Sequence, residues 1–197
     1  QQRFGYIGRC YNDRMLKKID KYLFTWRLAT FIPAILAVSL LPAKDCCQAF
    51  GTNLSLSYLL NIWANFAGND FLALAQHGYG LPLSTSTYIF FPLFPWLIRT
   101  FAALFSDYLA SGLIVTHLSL IFALFLLYKL ILLDHKEKTA RTTLILLMVF
   151  PTAFFFGSVY TESFFLLLVV GTFYAARKKY FFLACFMALL ASATRLA

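Results

Sequence analysis

The chain has 197 residues, of which 61% are hydrophobic, 19% aromatic and 13% charged. Soluble domains carry about 25% charged and about 45–50% apolar residues, so an ordinary soluble core is excluded and the excess apolar surface is assigned to a membrane. The formal charge of +9 does not argue for a nucleic acid partner, because the cations are gathered between apolar runs rather than spread over one face.

Seven of the seventeen cations, Arg3, Arg9, Arg14, Lys17, Lys18, Lys21 and Arg27, precede or open the first apolar run. Three more (Lys136, Lys138, Arg141) and a further three (Arg177, Lys178, Lys179) separate later runs. This is the positive-inside pattern of a multi-pass membrane protein. The expected fold is all-α, a polytopic transmembrane helical bundle. Its parts are a basic amphipathic lead at 1–23 and a transmembrane domain at 24–197, with an outer loop at 42–87. The chain opens on Gln1 and stops just after an apolar run, as expected of the N-terminal part of a longer protein. The lead lacks the features of a cleavable signal sequence. Four cysteines, Cys10, Cys46, Cys47 and Cys185, show no metal-site spacing and read as free thiols.

In the lead, Met15, Leu16, Ile19, Tyr22 and Leu23 recur at helical spacing beside Lys17, Lys18 and Lys21. That spacing suits a helix on an anionic cytoplasmic surface, or an ordinary juxtamembrane helix. A first span follows at about 24–41, with Pro33 inside it. In the outer loop, Leu60, Trp63, Phe66, Ala67, Phe71 and Leu74 predict an amphipathic helix over 56–77 lying on the membrane surface, stopped by Gly78-Tyr79-Gly80. Asn53-Leu54-Ser55 is a glycosylation sequon, and 84–87 is a Ser/Thr-rich loop. Further apolar stretches cover 88–105, 109–133, 142–159, 164–176 and 180–194. If the charged stretches 134–141 and 177–179 are both inside, Tyr160 to Ser163 face outside and 88–105 cannot be a full crossing. Its Pro92 and Pro95 suit a re-entrant or interfacial segment.

Only eight acidic residues occur. Asp13, Asp20, Asp134 and Glu137 fall on the inner side, leaving Asp45, Asp70, Asp107 and Glu162 for the outer half. A carboxylate at membrane depth costs about 3 kcal/mol, which makes it a functional candidate. Glu162 reads either as a site residue or as the first-turn charge of a helix capped by Thr161. Asp70 and His77, seven residues apart, share one helix face, which either lines a cavity or is solvated. Arg195 either grips a phosphate or snorkels to the interface. His117, mid-span, is expected to bond to a neighbouring helix.

Four stretches in order then carry a resemblance: Trp63 to Tyr79, Phe90-Phe91-Pro92-Leu93-Phe94-Pro95, Tyr160-Thr161-Glu162-Ser163, and Ala193-Thr194-Arg195. Together they resemble the second GPI mannosyltransferase (PIG-V-like) family and its prokaryotic relatives, membrane glycosyltransferases of GT-C fold. The family's first-loop pattern, approximately W-D-x-x-H-F/Y-L-x-I-A-x-x-G-Y, is matched at Phe71-Leu72, Ala75 and His77-Gly78-Tyr79. Its W-D pair falls on Phe66-Ala67 and its histidine on Asp70. The resemblance implies transfer of mannose from a polyprenyl- or dolichyl-phosphate carrier to a lipid-linked or surface acceptor on the outer or lumenal side. Asp70 and Glu162 would be the catalytic acids, with His77, Tyr79, Tyr160 and Arg195 binding substrates. No cofactor is required by it, and a divalent cation stays open. The implied partners are membrane lipids, the sugar donor and a glycolipid or glycan acceptor, with no nucleic acid. The implied location is a prokaryotic plasma membrane, or else an endoplasmic-reticulum membrane. A non-catalytic homologue, and a lipid-handling or transport protein, are the alternatives; no inverted repeat supports a transporter.

Overall fold

In a computed structural model, residues 21–33, 35–36, 60–79 and 89–195 are described. The expectations for residues 1–20, for Cys10, Cys46, Cys47, Asp45, the sequon and the Ser/Thr-rich loop lie outside these residues. The described residues are all-α, with no strand among them. Helix α1 covers 21–33. A short 3-10 turn, Ile62–Ala64, leads to α2 (Ala67–His77), α3 (Leu93–Phe105) and α4 (Tyr108–Ile131). Then come α5 (Glu137–Val149), a second 3-10 segment (Pro151–Gly157), α6 (Glu162–Arg177) and α7 (Phe181–Ser192).

Helix α4 is the axis of the bundle. It has 24 residues, about 36 Å at the usual rise, and among the described residues it is the one helix long and apolar enough to cross a membrane. Asp107 starts it, its carboxylate accepting from the N–H groups of Leu109 (2.8 Å) and Ala110 (3.1 Å). This is an N-cap in the ordinary sense, so Asp107 is committed to structure. A face of small residues, Ser111, Gly112, Thr116 and Ser119, is buried. The Ser111 and Thr116 hydroxyls donate back to the Asp107 and Gly112 carbonyls, so neither stays unsatisfied. Small side chains permit close helix approach, and α4 packs most extensively on α6, which in turn packs on α7. His117, expected to reach a neighbouring helix, instead pairs its Nδ1 with the Leu113 carbonyl of its own helix at 2.7 Å.

Two apolar cores divide the bundle lengthwise. One holds Leu120, Leu124, Tyr128, Ala140, Leu144 and Met148. The other holds Trp63, Phe71, Phe94, Ile98, Leu113 and Val159. The charged loops close the first end: Arg177 pairs with Asp134, and Arg141 with Glu137. Since α6 runs from Glu162 to Arg177, Glu162 lies about 24 Å away, at the opposite end. Many large apolar side chains point outward, among them Phe24, Leu104, Leu146, Val149, Phe173 and Phe182. Large apolar side chains exposed in such number suit a surface covered by a membrane or a partner.

Three expectations are corrected. The helix expected over 56–77 is broken within its described part at Asn65-Phe66, where Asn65 is extended (ψ 159°) and Phe66 has φ 57°. Breaking there lets Trp63 and Ala64 turn into the core beside Phe71, while Phe66 swings out, 83% exposed. Helix α2 packs on the bundle through Gly68, Phe71, Leu72, Leu74 and Ala75. The run 142–159 is not one straight helix: α5 and the Pro151–Gly157 segment are bent by 87°. Pro151 disfavours a helical Phe150, and Phe150 is extended at ψ 138°. Thr161 makes no side-chain capping bond. The run 88–105 forms α3, of 13 residues, shorter than the roughly 20 needed to span a bilayer.

Candidate active site

The site is built where three segments meet at the Glu162 end. The backbone of Val159 donates to the Trp63 carbonyl at 2.8 Å. Gly68 of α2 lies so close to this strand-like stretch that a Cβ there would stand 3.2 Å from the Val159 carbonyl oxygen. Gly112 of α4 closes the other side, a Cβ there meeting Val159 Cγ1 at 2.9 Å. Val159 is thus clamped between two glycines, and the residues after it are held in place.

Those residues are Tyr160 and Glu162. The Tyr160 hydroxyl donates to the Asn65 carbonyl at 3.0 Å, which also accepts the Gly68 N–H at 3.3 Å. Its ring meets Phe155 edge-on at 5.1 Å. Burial raises the Tyr160 phenol above its usual range, and the charges of Glu162 and Asp70 raise it further, while the Ala67 backbone N–H opposes them. One phenol therefore sits within electrostatic reach of both carboxylates. Asp70 and Glu162, 92 positions apart by their numbering, share one end of the bundle.

Glu162 opens α6 at the positive end of its dipole. Its Oε1 accepts from Arg195 Nη1 at 3.3 Å, and the two side chains are 28% and 50% exposed respectively. Its Oε2 is buried and lacks a hydrogen-bond partner among the described residues. Burial lifts the carboxyl above the ordinary carboxylate range; its own backbone N–H and Arg195 pull it back. An exposed pair of this kind adds only about 0–1 kcal/mol to stability, so the arrangement is a poor stabilising device and a good way of aiming a guanidinium. Arg195 is carried here by the turn after α7, where the Thr194 hydroxyl is buried and donates to the Leu190 carbonyl at 2.9 Å. The Ser163 hydroxyl donates to the Phe156 carbonyl at 2.8 Å and pins the start of α6 to the preceding segment.

Tyr79 and His77 occupy the far end of α2. The Tyr79 hydroxyl donates to the Phe90 carbonyl at 2.6 Å, and burial raises its phenol. His77 is exposed and lies seven residues beyond Asp70, about 10 Å along the helix. The structure therefore pairs Glu162 with Arg195 and puts Glu162 and Asp70 within electrostatic reach of Tyr160, while Tyr79 is bound to Phe90 and His77 is exposed. Among the described residues no group of three or more His, Cys, Asp or Glu is placed to hold a metal ion.

From Arg195 an apolar groove of roughly 410 Å³ runs between α6 and α7, lined by Phe91, Phe165, Val169, Phe173 and Ala188. Sequence reasoning missed Asn65, whose backbone carbonyl takes the Tyr160 hydroxyl from 95 residues away, and Arg27, whose partners are remote in sequence. Arg27 does not stay with the basic lead: its guanidinium lies 3.8 Å over the Trp63 ring. Compared with protein-family models, with curated proteins and with solved structures, the chain matches none.

Proposed function

We propose that this chain is a polytopic membrane glycosyltransferase, which moves mannose from a polyprenyl- or dolichyl-phosphate carrier to a lipid-linked or surface acceptor on the side opposite the basic loops. One observation carries the reading: a cation, Arg195, is paired with a carboxylate at the lip of an apolar groove, and a second carboxylate, Asp70, acts electrostatically on the neighbouring Tyr160. A lipid phosphate demands this combination, a dry channel for the chain and a guanidinium at its mouth. The exposed apolar side chains around the bundle support the membrane setting.

In this reading the lipid tail lies along Phe165, Val169 and Phe173, and its phosphate meets Arg195. Asp70 takes the proton from the acceptor hydroxyl as that oxygen bonds to the anomeric carbon. The bond from that carbon to the phosphate oxygen breaks, and the electron pair leaves with the phosphate, whose growing charge Arg195 stabilises. A single displacement inverts the anomeric centre. Glu162 holds Arg195 in position, and Tyr160 fixes the Asn65–Asp70 segment against it.

The test is mannose transfer from a labelled lipid-phosphate donor by the full protein in membranes. Transfer that falls by about 10²-fold or more in Asp70→Asn agrees with a general base. Undiminished transfer in that variant removes Asp70 from the mechanism. No transfer by the unsubstituted protein, with any lipid-phosphate sugar, favours the non-catalytic reading that Ala67 at the family's aspartate position suggests.

A further inference from the structure

One face of α5 changes character along its length. Lys138, Arg141, Ile145 and Val149 recur at intervals of three and four residues, so they form one stripe about 16 Å long. Its first two members are cations, and its last two are exposed apolar side chains. The apolar part is one wall of a groove of roughly 160 Å³, which is closed on the other side by Tyr22 and Thr25 of α1. Leu124 of α4 and Met148 of α5, both buried, lie beneath it. This groove shares no lining residue with the one at Arg195, and the transfer mechanism does not use it.

The end of the groove nearest the charged loops is basic. Lys21 adjoins Tyr22 on α1, and Arg141 lies one turn before Ile145 on α5. The Tyr22 phenol is within electrostatic reach of the Arg141 guanidinium, so two helices bring these groups to one mouth. The two carboxylates at this end are engaged: Glu137 pairs with Arg141, and Asp134 with Arg177. Lys21 and Lys138 are exposed, and neither forms an ion pair among the described residues. The mouth is thus a set of accessible cations above an apolar slot.

We propose that this groove binds an anionic phospholipid, with its phosphate among Lys21, Lys138 and Arg141 and an acyl chain laid along Ile145 and Val149. Charge complementarity selects the occupant: basic pockets between spanning helices, on the side of the basic loops, suit acidic headgroups. A zwitterionic lipid offers the same chains, but its ammonium group is repelled by the same cations. The lipid would also hold α1 against α5. The proposal rests on the membrane setting proposed above and is independent of the sugar chemistry.

The test uses the full protein in a non-ionic detergent, with phosphatidylglycerol or phosphatidylcholine added at equal concentration and bound lipid read by native mass spectrometry. One phosphatidylglycerol is expected to be retained per chain, more tightly than phosphatidylcholine by about fivefold for each engaged cation. Lys138→Gln should cut that preference about fivefold, and Lys138→Arg should keep it. Ile145→Trp fills the slot at an exposed position and should weaken both lipids. Lys178→Gln removes an equal charge from the turn after α6, away from the groove, and should leave the preference unchanged. Equal retention of the two lipids by the unsubstituted protein overturns the site whether or not the variants fold, and leaves the membrane reading standing. An equal loss of preference in Lys178→Gln replaces the site by diffuse attraction and overturns it. Inorganic phosphate that displaces phosphatidylglycerol assigns the mouth to a soluble anion, and a dimer that Ile145→Trp separates assigns the groove to a second copy; either overturns the lipid. A protein that stays dispersed without detergent or lipid overturns the membrane reading itself.

Discussion

Arg195 Nη1 stands 3.3 Å from Glu162 Oε1 and joins the residue that opens α6 to the one that follows the end of α7. Because both groups keep some access to water, the pair contributes about 0–1 kcal/mol to stability. In the proposed reaction its value is larger, since a donor aimed at developing charge is worth about 10²–10³ in rate. Arg195→Gln should therefore lower mannose transfer by roughly that factor while shifting the unfolding free energy by about 1 kcal/mol or less. Arg195→Lys should recover only part of the rate, because an ammonium cannot grip a phosphate bidentately. Kinetics and thermal unfolding on the same preparations check this; unchanged transfer in Arg195→Gln removes the residue from the site.

Stability should depend on pH through Glu162. Its carboxyl is raised, chiefly by burial, so the folded chain holds this proton more tightly than the unfolded chain does. The stability from this group is complete below the ordinary glutamate pKa and is lost as pH rises through the raised value. Glu162→Gln, neutral throughout, escapes that loss. Its melting temperature should gain on the parent as pH rises through this window and show no such gain on the acid side. Arg195→Gln removes a group that pulls the pKa down and should move the window to higher pH. Melting temperatures that run parallel across pH for all three proteins would contradict the assignment.

How far this arrangement was legible in the sequence depends on the range of each cause. Alternating basic loops and apolar runs place Asp70 and Tyr160 to Ser163 on one side, and the structure brings them to one end of the bundle. The broken loop helix was not legible, because Phe66 has a positive φ without the glycine that normally signals one. The conformation is stabilised by tertiary contacts: Trp63 and Ala64 gain the core, and Asn65 gains Tyr160. Pro151 was visible, but membrane helices tolerate proline, so its 87° bend did not follow from its presence. Arg27 reads as the last cation of a basic lead until Trp63 and Gly157, far along the chain, close around it.

The glycine clamp on Val159 gives a packing prediction. A Cβ on Gly112 would sit 2.9 Å from Val159 Cγ1, inside a buried contact, so Gly112→Ala should destabilise the fold by about 1–3 kcal/mol through overpacking. It should also reduce transfer, since any shift of Val159 carries Tyr160 and Glu162 with it. Val159→Ala removes the obstructing methyls and alone leaves a small cavity. The double variant should be less destabilised than the sum of the two by about 1 kcal/mol or more, the mark of direct contact. Strictly additive unfolding free energies would show that the two residues do not press on each other.

Position 67 provides the sharpest test of which carboxylate serves as the base. The Ala67 backbone N–H lies against the Tyr160 phenol, and Asp70 influences the same phenol. Positions 67 and 70 are three residues apart on α2 and hence neighbours on one helix face. A carboxylate at 67 would face the same substrate hydroxyl as one at 70. Asp70→Asn should be nearly inactive, and adding Ala67→Asp to it should restore transfer to within about tenfold of the parent, an order within the usual contribution of a positioned base. Ala67→Asp alone should change the rate little, because one base suffices, but should push the Tyr160 phenol further up, readable by ultraviolet titration. If Ala67→Asp raises transfer many-fold in the parent and Asp70→Asn leaves that gain intact, the family's position is the one that matters and Asp70 has not replaced it.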